Sequence, residues 1–205
     1  MRPAPALAPI LLAASLLSPA APARAADRFE LAANGSQRLE DLGPFLEKYV
    51  GSCRDAFTRD DCERNVRAAR RALDGRVYAA RIGERTVEIV RAERARGGWR
   101  FVVTPFIDGG GLALTNGEPR GDALGRPRIG YLVLEGALPE GMDDLALESA
   151  LRTGRIELEV LFRPEGTWKM KRRGEPGFYE GVKARFLALR LLETRTGTQV
   201  ASRVY

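Results

Sequence analysis

The stretch Ile156-Glu157-Leu158-Glu159-Val160-Leu161-Phe162-Arg163 decides the fold class. Ile156, Leu158, Val160 and Phe162 alternate with Arg155, Glu157, Glu159 and Arg163, the period of a strand with one buried and one solvated face. The same period returns downstream. Val182, Ala184, Phe186 and Ala188 share one face, while Lys183 and Arg185 on the other give way to Leu187, Leu189 and Leu191. That pattern predicts a long strand over 182–193. Between the two, Pro164-Glu165-Gly166 predicts a turn into a separate strand over 168–172, and residues 174–177 a further connection. Thr196-Gly197 predicts the turn into a last strand at about 199–204.

Working toward the N-terminus, 77–82 and 86–91 read as strands joined by a Gly83-Glu84 hairpin turn. Trp99, Phe101, Val103 and Pro105 alternate through another strand over 99–107, and Gly109-Gly110-Gly111 leads to a short apolar piece at 112–114. Residues 116–127, rich in Gly, Pro and charge, predict an exposed loop. Residues 129–138 are apolar on both faces and predict a central strand. Asp143 and Asp144 can open a short helix over 142–151, with Thr153-Gly154 closing it.

Only before residue 75 does the period lengthen to 3.6. Phe45, Leu46, Tyr49 and Val50 give one apolar face after Gly43-Pro44, and Gly51 can end that helix. Cys62, Val66, Ala69 and Leu73 form a second stripe, behind a capping-box spacing of Thr58 and Asp61. Asp60 and Asp61 lie at the positive end of the helix dipole and Arg70 and Arg71 at the negative end. The expected architecture is α+β: an N-terminal helical hairpin at about 44–74 packed on a mostly antiparallel β-sheet at about 76–205, sandwich or barrel-like. Residues 26–43 are expected to be an irregular lead-in segment, and 44–205 one domain.

Residues 1–25 have the form of a secretory signal: Arg2, an apolar core over 6–17, helix-breaking Pro19 and Pro22, and Ala23-Arg24-Ala25 before a cleavage at Ala26. The apolar run is too short to span a bilayer, which takes about 20 residues. The mature chain is therefore expected to be periplasmic or secreted, with no transmembrane segment. In an oxidising compartment Cys53 and Cys62 are expected to form a disulfide.

Composition removes much chemistry. The chain has 205 residues, 44% of them hydrophobic and 29% charged, and no histidine. That takes away the usual general base, the Ser-His-Asp triad and most zinc sites. No cofactor and no metal site is expected. Glu157 and Glu159 lie two apart on one strand face, near the spacing of paired glycosidase carboxylates. Arg155 and Arg163 share that face, so a salt-bridge ladder is the simpler expectation.

The charge distribution is the remaining signal. Lys169, Lys171, Arg172, Arg173, Lys183, Arg185 and Arg190 lie within 168–190 against Glu175 and Glu180, while the rest of the mature chain is near neutral. Trp168, Phe178 and Tyr179 are interleaved with them. Lys169, Lys171, Arg172, Arg173, Lys183 and Arg185, with Trp168 and Tyr179, are the candidate anion-binding residues. The expected role is a non-catalytic binding or accessory protein of the cell envelope. Its partner would be an anionic lipid headgroup, an acidic glycan or another envelope protein, and no nucleic acid is expected. The alternative is a carboxylate-dependent hydrolase acting on a glycan.

Overall fold

The computed structural model describes residues 28–51, 53, 59–83, 88–96, 98–109 and 111–205. The expected signal peptide, the Thr58 cap and Glu84 of the expected hairpin turn lie outside the described residues. Among the described residues four helices, α1 (Arg28–Ala33), α2 (Leu42–Val50), α3 (Arg59–Leu73) and α4 (Asp144–Arg152), accompany a ten-stranded mixed sheet. Its strands are β1 (Gln37–Leu39), β2 (Tyr78–Ile82), β3 (Ile89–Ala95), β4 (Gly98–Val103), β5 (Ile107–Gly109), β6 (Leu112–Asn116), β9 (Leu132–Gly136), β10 (Ile156–Lys171), β11 (Phe178–Glu193) and β12 (Thr198–Val204). A separate small ladder joins β7 (Arg120–Gly121) to β8 (Pro127–Arg128).

The sheet runs β1-β2-β10-β11-β12-β9-β4-β3, with β6 alongside the outer half of β11 and β5 beyond it. Its pairings are antiparallel except β1 with β2 and β6 with β11. Among the described residues these ten strands form one hydrogen-bonded sheet rather than a sandwich of two, and its end strands β1 and β3 are not paired with each other. Strands from both ends nevertheless reach one core: Ile82 of β2 lies in it and Ile89 of β3 packs against it. Ile156, Leu158, Val160 and Phe162 point into that core, as their alternation requires, and meet Phe45, Leu46 and Tyr49 of α2 there.

Several local expectations are corrected. The helical part is not a hairpin laid on the sheet. α2 packs on the strands, but α3 buries no residue fully and leans on α2. Its apolar stripe is narrow and the rest of its surface is Arg-rich, so it has one dry line of contact to offer. Gly51 ends α2 at φ 70°, and a Cβ there would come within 2.3 Å of Val66 Cγ2 on α3, so the close approach needs glycine. Arg70 of α3 donates to the Tyr49 and Val50 carbonyls at 3.1 and 3.2 Å, closing the C-terminal end of α2.

The lead-in segment is ordered rather than irregular. It forms α1, anchored by the fully buried Phe29, and β1, parallel to β2. A single anchor leaves no periodicity to read. Among the described residues β2 and β3 are not paired with each other: β2 pairs with β10, where Val160 meets Ala80, and β3 pairs with β4, while residues 84–87 of the expected hairpin lie outside the described residues. Pro164-Glu165-Gly166 is a bulge and not a turn. The ladder shifts register between Pro164 and Gly166 and then continues, so β10 is one 16-residue strand. The expected loop at 116–127 carries the β7–β8 ladder. α4 forms within the strand region as expected, with the Asp143 side chain accepting from Ala146 N at 2.8 Å.

The second face of the sheet carries a charged row. Reading across the registers, Arg81, Glu159, Arg190, Ser202, Glu135, Arg100 and Glu93 stand side by side on β2, β10, β11, β12, β9, β4 and β3. Opposite charges face one another, the favourable cross-strand arrangement. Phe29 of α1 covers part of this face with Ala79, Leu161 and Ala188.

Candidate functional site

β10 and β11 extend past their neighbours as a two-stranded arm whose turn lies at 172–177. Its register assigns the faces. Lys171 stands opposite Phe178 and Lys169 opposite Glu180 on one face, while Met170 faces Tyr179 and Trp168 faces Gly181 on the other. A Cβ at Gly181 would lie 2.0 Å from the Ala113 carbonyl oxygen, so glycine there lets β6 run against the arm. The loop carrying β7 and β8 lies at the end of the arm: Arg173 Nη1 donates to the Ala123 carbonyl at 2.7 Å, and Gly121 lies close to Met170 Sδ.

That loop is built on Asp122. Its carboxylate accepts from the Leu124 and Arg126 amides at 2.9 and 2.8 Å and from Nε of Arg126 and Arg128, each at 3.2 Å. These bonds hold its carboxyl down to about 2, the Arg126 amide contributing most, against a smaller opposing effect of desolvation.

The candidate cations divide into two groups. Lys169 pairs with Glu180 at 3.2 Å, Arg172 with Glu175 at 3.6 Å, Lys183 with Glu118 at 3.2 Å and Arg185 with Glu165 at 3.9 Å. Lys171 and Arg173 have no carboxylate within ion-pair distance among the described residues, and neither has Arg120 of the adjoining loop. Arg190 belongs elsewhere, buried in the charged row 6% exposed. Glu118 and Glu165 come from outside the 168–190 window, so the local excess of positive charge is smaller than that window suggests.

The aromatics divide as well. Trp168 is only 5% exposed, edge-on to Phe106 with ring centroids 6.3 Å apart, and is a core residue of the arm. Tyr179 is half-buried under the Arg172 guanidinium, 4.6 Å from its ring centre. Phe178 is 47% exposed with the Lys169 ammonium 4.3 Å from its ring centre. Leu124, in the loop that Arg173 holds, is 62% exposed. Arg120 and Leu124 escape a reading by sequence window because they lie some fifty residues before the arm. The Gly, Pro and charge content of residues 116–127 marks that stretch as a loop in advance, but not its place beside the arm.

Glu157 and Glu159 do not form a paired carboxylate site. Glu157 pairs with Arg81 at 3.6 Å. Glu159, 1% exposed, accepts from Arg190 Nε at 2.7 Å and from Arg38 Nη1 at 3.2 Å. Arg155 lies 3.4 Å from Glu193, so a salt-bridge network does form, partly buried rather than solvated. Cys53 and Cys62 form a disulfide with Cα atoms 5.7 Å apart, joining the segment after α2 to the first turn of α3. Among the described residues no group of three or more Cys, Asp or Glu side chains could hold a metal ion. No described helix is long and apolar enough to cross a membrane.

Fold and site together define an α+β domain with a mixed, β-rich sheet, one disulfide and a projecting basic arm. The chain belongs to a family of unknown function (DUF6066), which matches it over residues 7–203. No curated protein and no solved structure shows a significant match to it.

Proposed function

We propose that this is an exported, non-catalytic binding or accessory protein of the cell envelope that holds an anionic component at the end of the β10–β11 arm. Export is supported by the signal-like residues 1–25 and by the Cys53–Cys62 disulfide, which persists in an oxidising compartment. The observation that carries the binding reading is the set Lys171, Arg173 and Arg120. These cations gather at one end of the fold without a carboxylate partner among the described residues, beside an exposed aromatic ring. Their charge remains available to an outside anion, whereas Lys169, Arg172, Lys183 and Arg185 are already partly satisfied.

Retention of the mature protein on anionic liposomes and on an acidic polysaccharide, measured against salt, tests the reading. Binding should weaken steeply between low salt and about 0.15 M, where the screening length is about 8 Å. Substituting Lys171→Ser and Arg120→Ser together should weaken it at least about ten-fold while leaving the thermal transition in place, because exposed changes cost within about 0.5 kcal/mol; Arg173 is kept because it holds the Ala123 carbonyl. Equal retention of wild type and variant would overturn the proposal. An exported form whose intact mass still includes residues 1–25 would overturn the export reading.

A further inference from the structure

We infer that the anionic component is a lipid bilayer surface, with Phe178 and Leu124 entering the headgroup layer and Lys171, Arg173 and Arg120 lying over the lipid phosphates. This rests on the reading of the arm as an anion-binding end and adds to it the class of ligand. Two large apolar side chains stand exposed next to the unpartnered cations, Phe178 opposite Lys171 in the ladder and Leu124 beside Ala123, whose carbonyl Arg173 holds. They come from separate parts of the chain: Phe178 from the start of β11 and Leu124 from the loop that Arg173 joins to the arm through the Ala123 carbonyl. A soluble acidic polymer offers such side chains little to bury against. A bilayer interface offers both anionic headgroups and the upper part of the acyl layer.

Their surroundings fit that use. Lys171 stands directly opposite Phe178 in the ladder, and the Lys169 ammonium lies over the Phe178 ring. As Phe178 enters an interface, both long side chains can reach back toward phosphate with their stems along apolar surface. Gly125 beside Leu124 has φ 73° and packs against the Arg173 side chain, so the loop tip and the cation are held as one unit. The attraction therefore has two parts of different physical origin. The charged part is screened by salt, and the apolar part is not.

The two parts give separable expectations. Each cation brought against an anionic surface contributes about a five-fold gain in affinity. Burying the exposed part of Phe178 or Leu124 contributes roughly another ten-fold each. The probes are vesicles of phosphatidylglycerol with phosphatidylcholine, pure phosphatidylcholine vesicles, and dextran sulfate as a soluble polyanion. Leu124→Ser with Phe178→Ser should weaken vesicle binding about a hundred-fold and leave dextran sulfate binding unchanged. Phe178→Trp should shift its emission to the blue on the anionic vesicles but not on dextran sulfate, with buried Trp168 and partly buried Trp99 as constant background. Circular dichroism establishes that each variant keeps the sheet. Unchanged vesicle binding by the double variant, with wild type binding dextran sulfate equally well, would overturn the bilayer inference and leave an acidic glycan as the ligand of the arm. Wild type binding neither anionic probe would overturn the inference together with the reading beneath it.

Discussion

Replacing Glu159 by Leu should be among the most damaging single changes to this fold, although the residue is charged and its neighbours in sequence are apolar. Glu159 is 1% exposed and accepts from Arg190, itself 6% exposed. Arg190 Nη2 also donates to Glu30 of α1 at 2.7 Å, and its guanidinium lies 4.2 Å from the centre of the Phe29 ring. Burial acts to lower the Arg190 pKa, but its hydrogen bonds to Glu159 and Glu30 outweigh that and raise it. Removing one member of a buried pair typically costs about 3–5 kcal/mol, because the other charge stays buried without compensation. Glu30 remains as a half-exposed partner, which places the expected loss near the lower end, about 3 kcal/mol. For a domain of this size, about 2–4 °C per kcal/mol corresponds to a fall in Tm of roughly 6–12 °C. Replacing both Glu159 and Arg190 by Leu should recover most of the loss, since the net worth of a buried pair over an apolar one is near zero. Thermal and urea unfolding followed by circular dichroism complete the double-mutant cycle. A single-variant loss below about 1 kcal/mol, or strictly additive losses in the cycle, would refute the claim that Glu159 and Arg190 form a desolvated pair.

The remaining expectations are narrower. Replacing Cys53 and Cys62 by Ser should cost about 2–3 kcal/mol by the loop-entropy argument and loosen α3 before the sheet, and thiol titration of the denatured, unreduced protein should find none; two reactive thiols would contradict the disulfide. Asp122 has a lowered pKa of about 2, so its support of the β7–β8 loop is complete above the ordinary carboxyl value near 3.9 and is lost as pH falls through about 2. Amide exchange of Leu124 and Arg126 should accelerate over that interval, and equal protection at pH 4 and at about pH 1.5 would argue against the Asp122 cap. Glu193 has the same sign: burial acts to raise its pKa, but hydrogen bonds from Thr196 outweigh this and lower it. The β11–β12 turn should therefore also loosen on the acid side, seen as faster exchange of the Thr196 amide.

What the chain determines locally is the face each segment turns inward. Ile156 to Phe162 reads as a strand because apolar side chains at alternate positions can be buried together only in that conformation. The α4 start is legible for the same local reason, since Asp143 can satisfy the Ala146 amide three residues away. The pairing of Cys53 with Cys62 needs only nearby cysteines and an oxidising compartment. Partners in space are another matter. The Gly83-Glu84 signal suggests that β2 and β3 are neighbours, yet β2 gains more by placing its apolar residues beside β10, which lies about eighty residues away. Pro164-Glu165-Gly166 has the composition of a turn, but the strands on either side already share a ladder, so the extra residue is absorbed as a bulge.

The candidate site divides along the same line. A cluster of Lys and Arg between 168 and 190 is visible in the sequence. Which of them stay available is decided by carboxylates arriving from elsewhere, Glu118 for Lys183 and Glu165 for Arg185. Glu159 looks like a solvated charge until α1 and Arg190 close over it, and Trp168 looks like a surface aromatic until Phe106 packs against it. Period and turn chemistry act between residues a few positions apart and can be read along the chain. Desolvation and ion pairing act through space, so only the assembled sheet assigns Arg190 to the interior and leaves Lys171, Arg173 and Arg120 facing outward without a carboxylate.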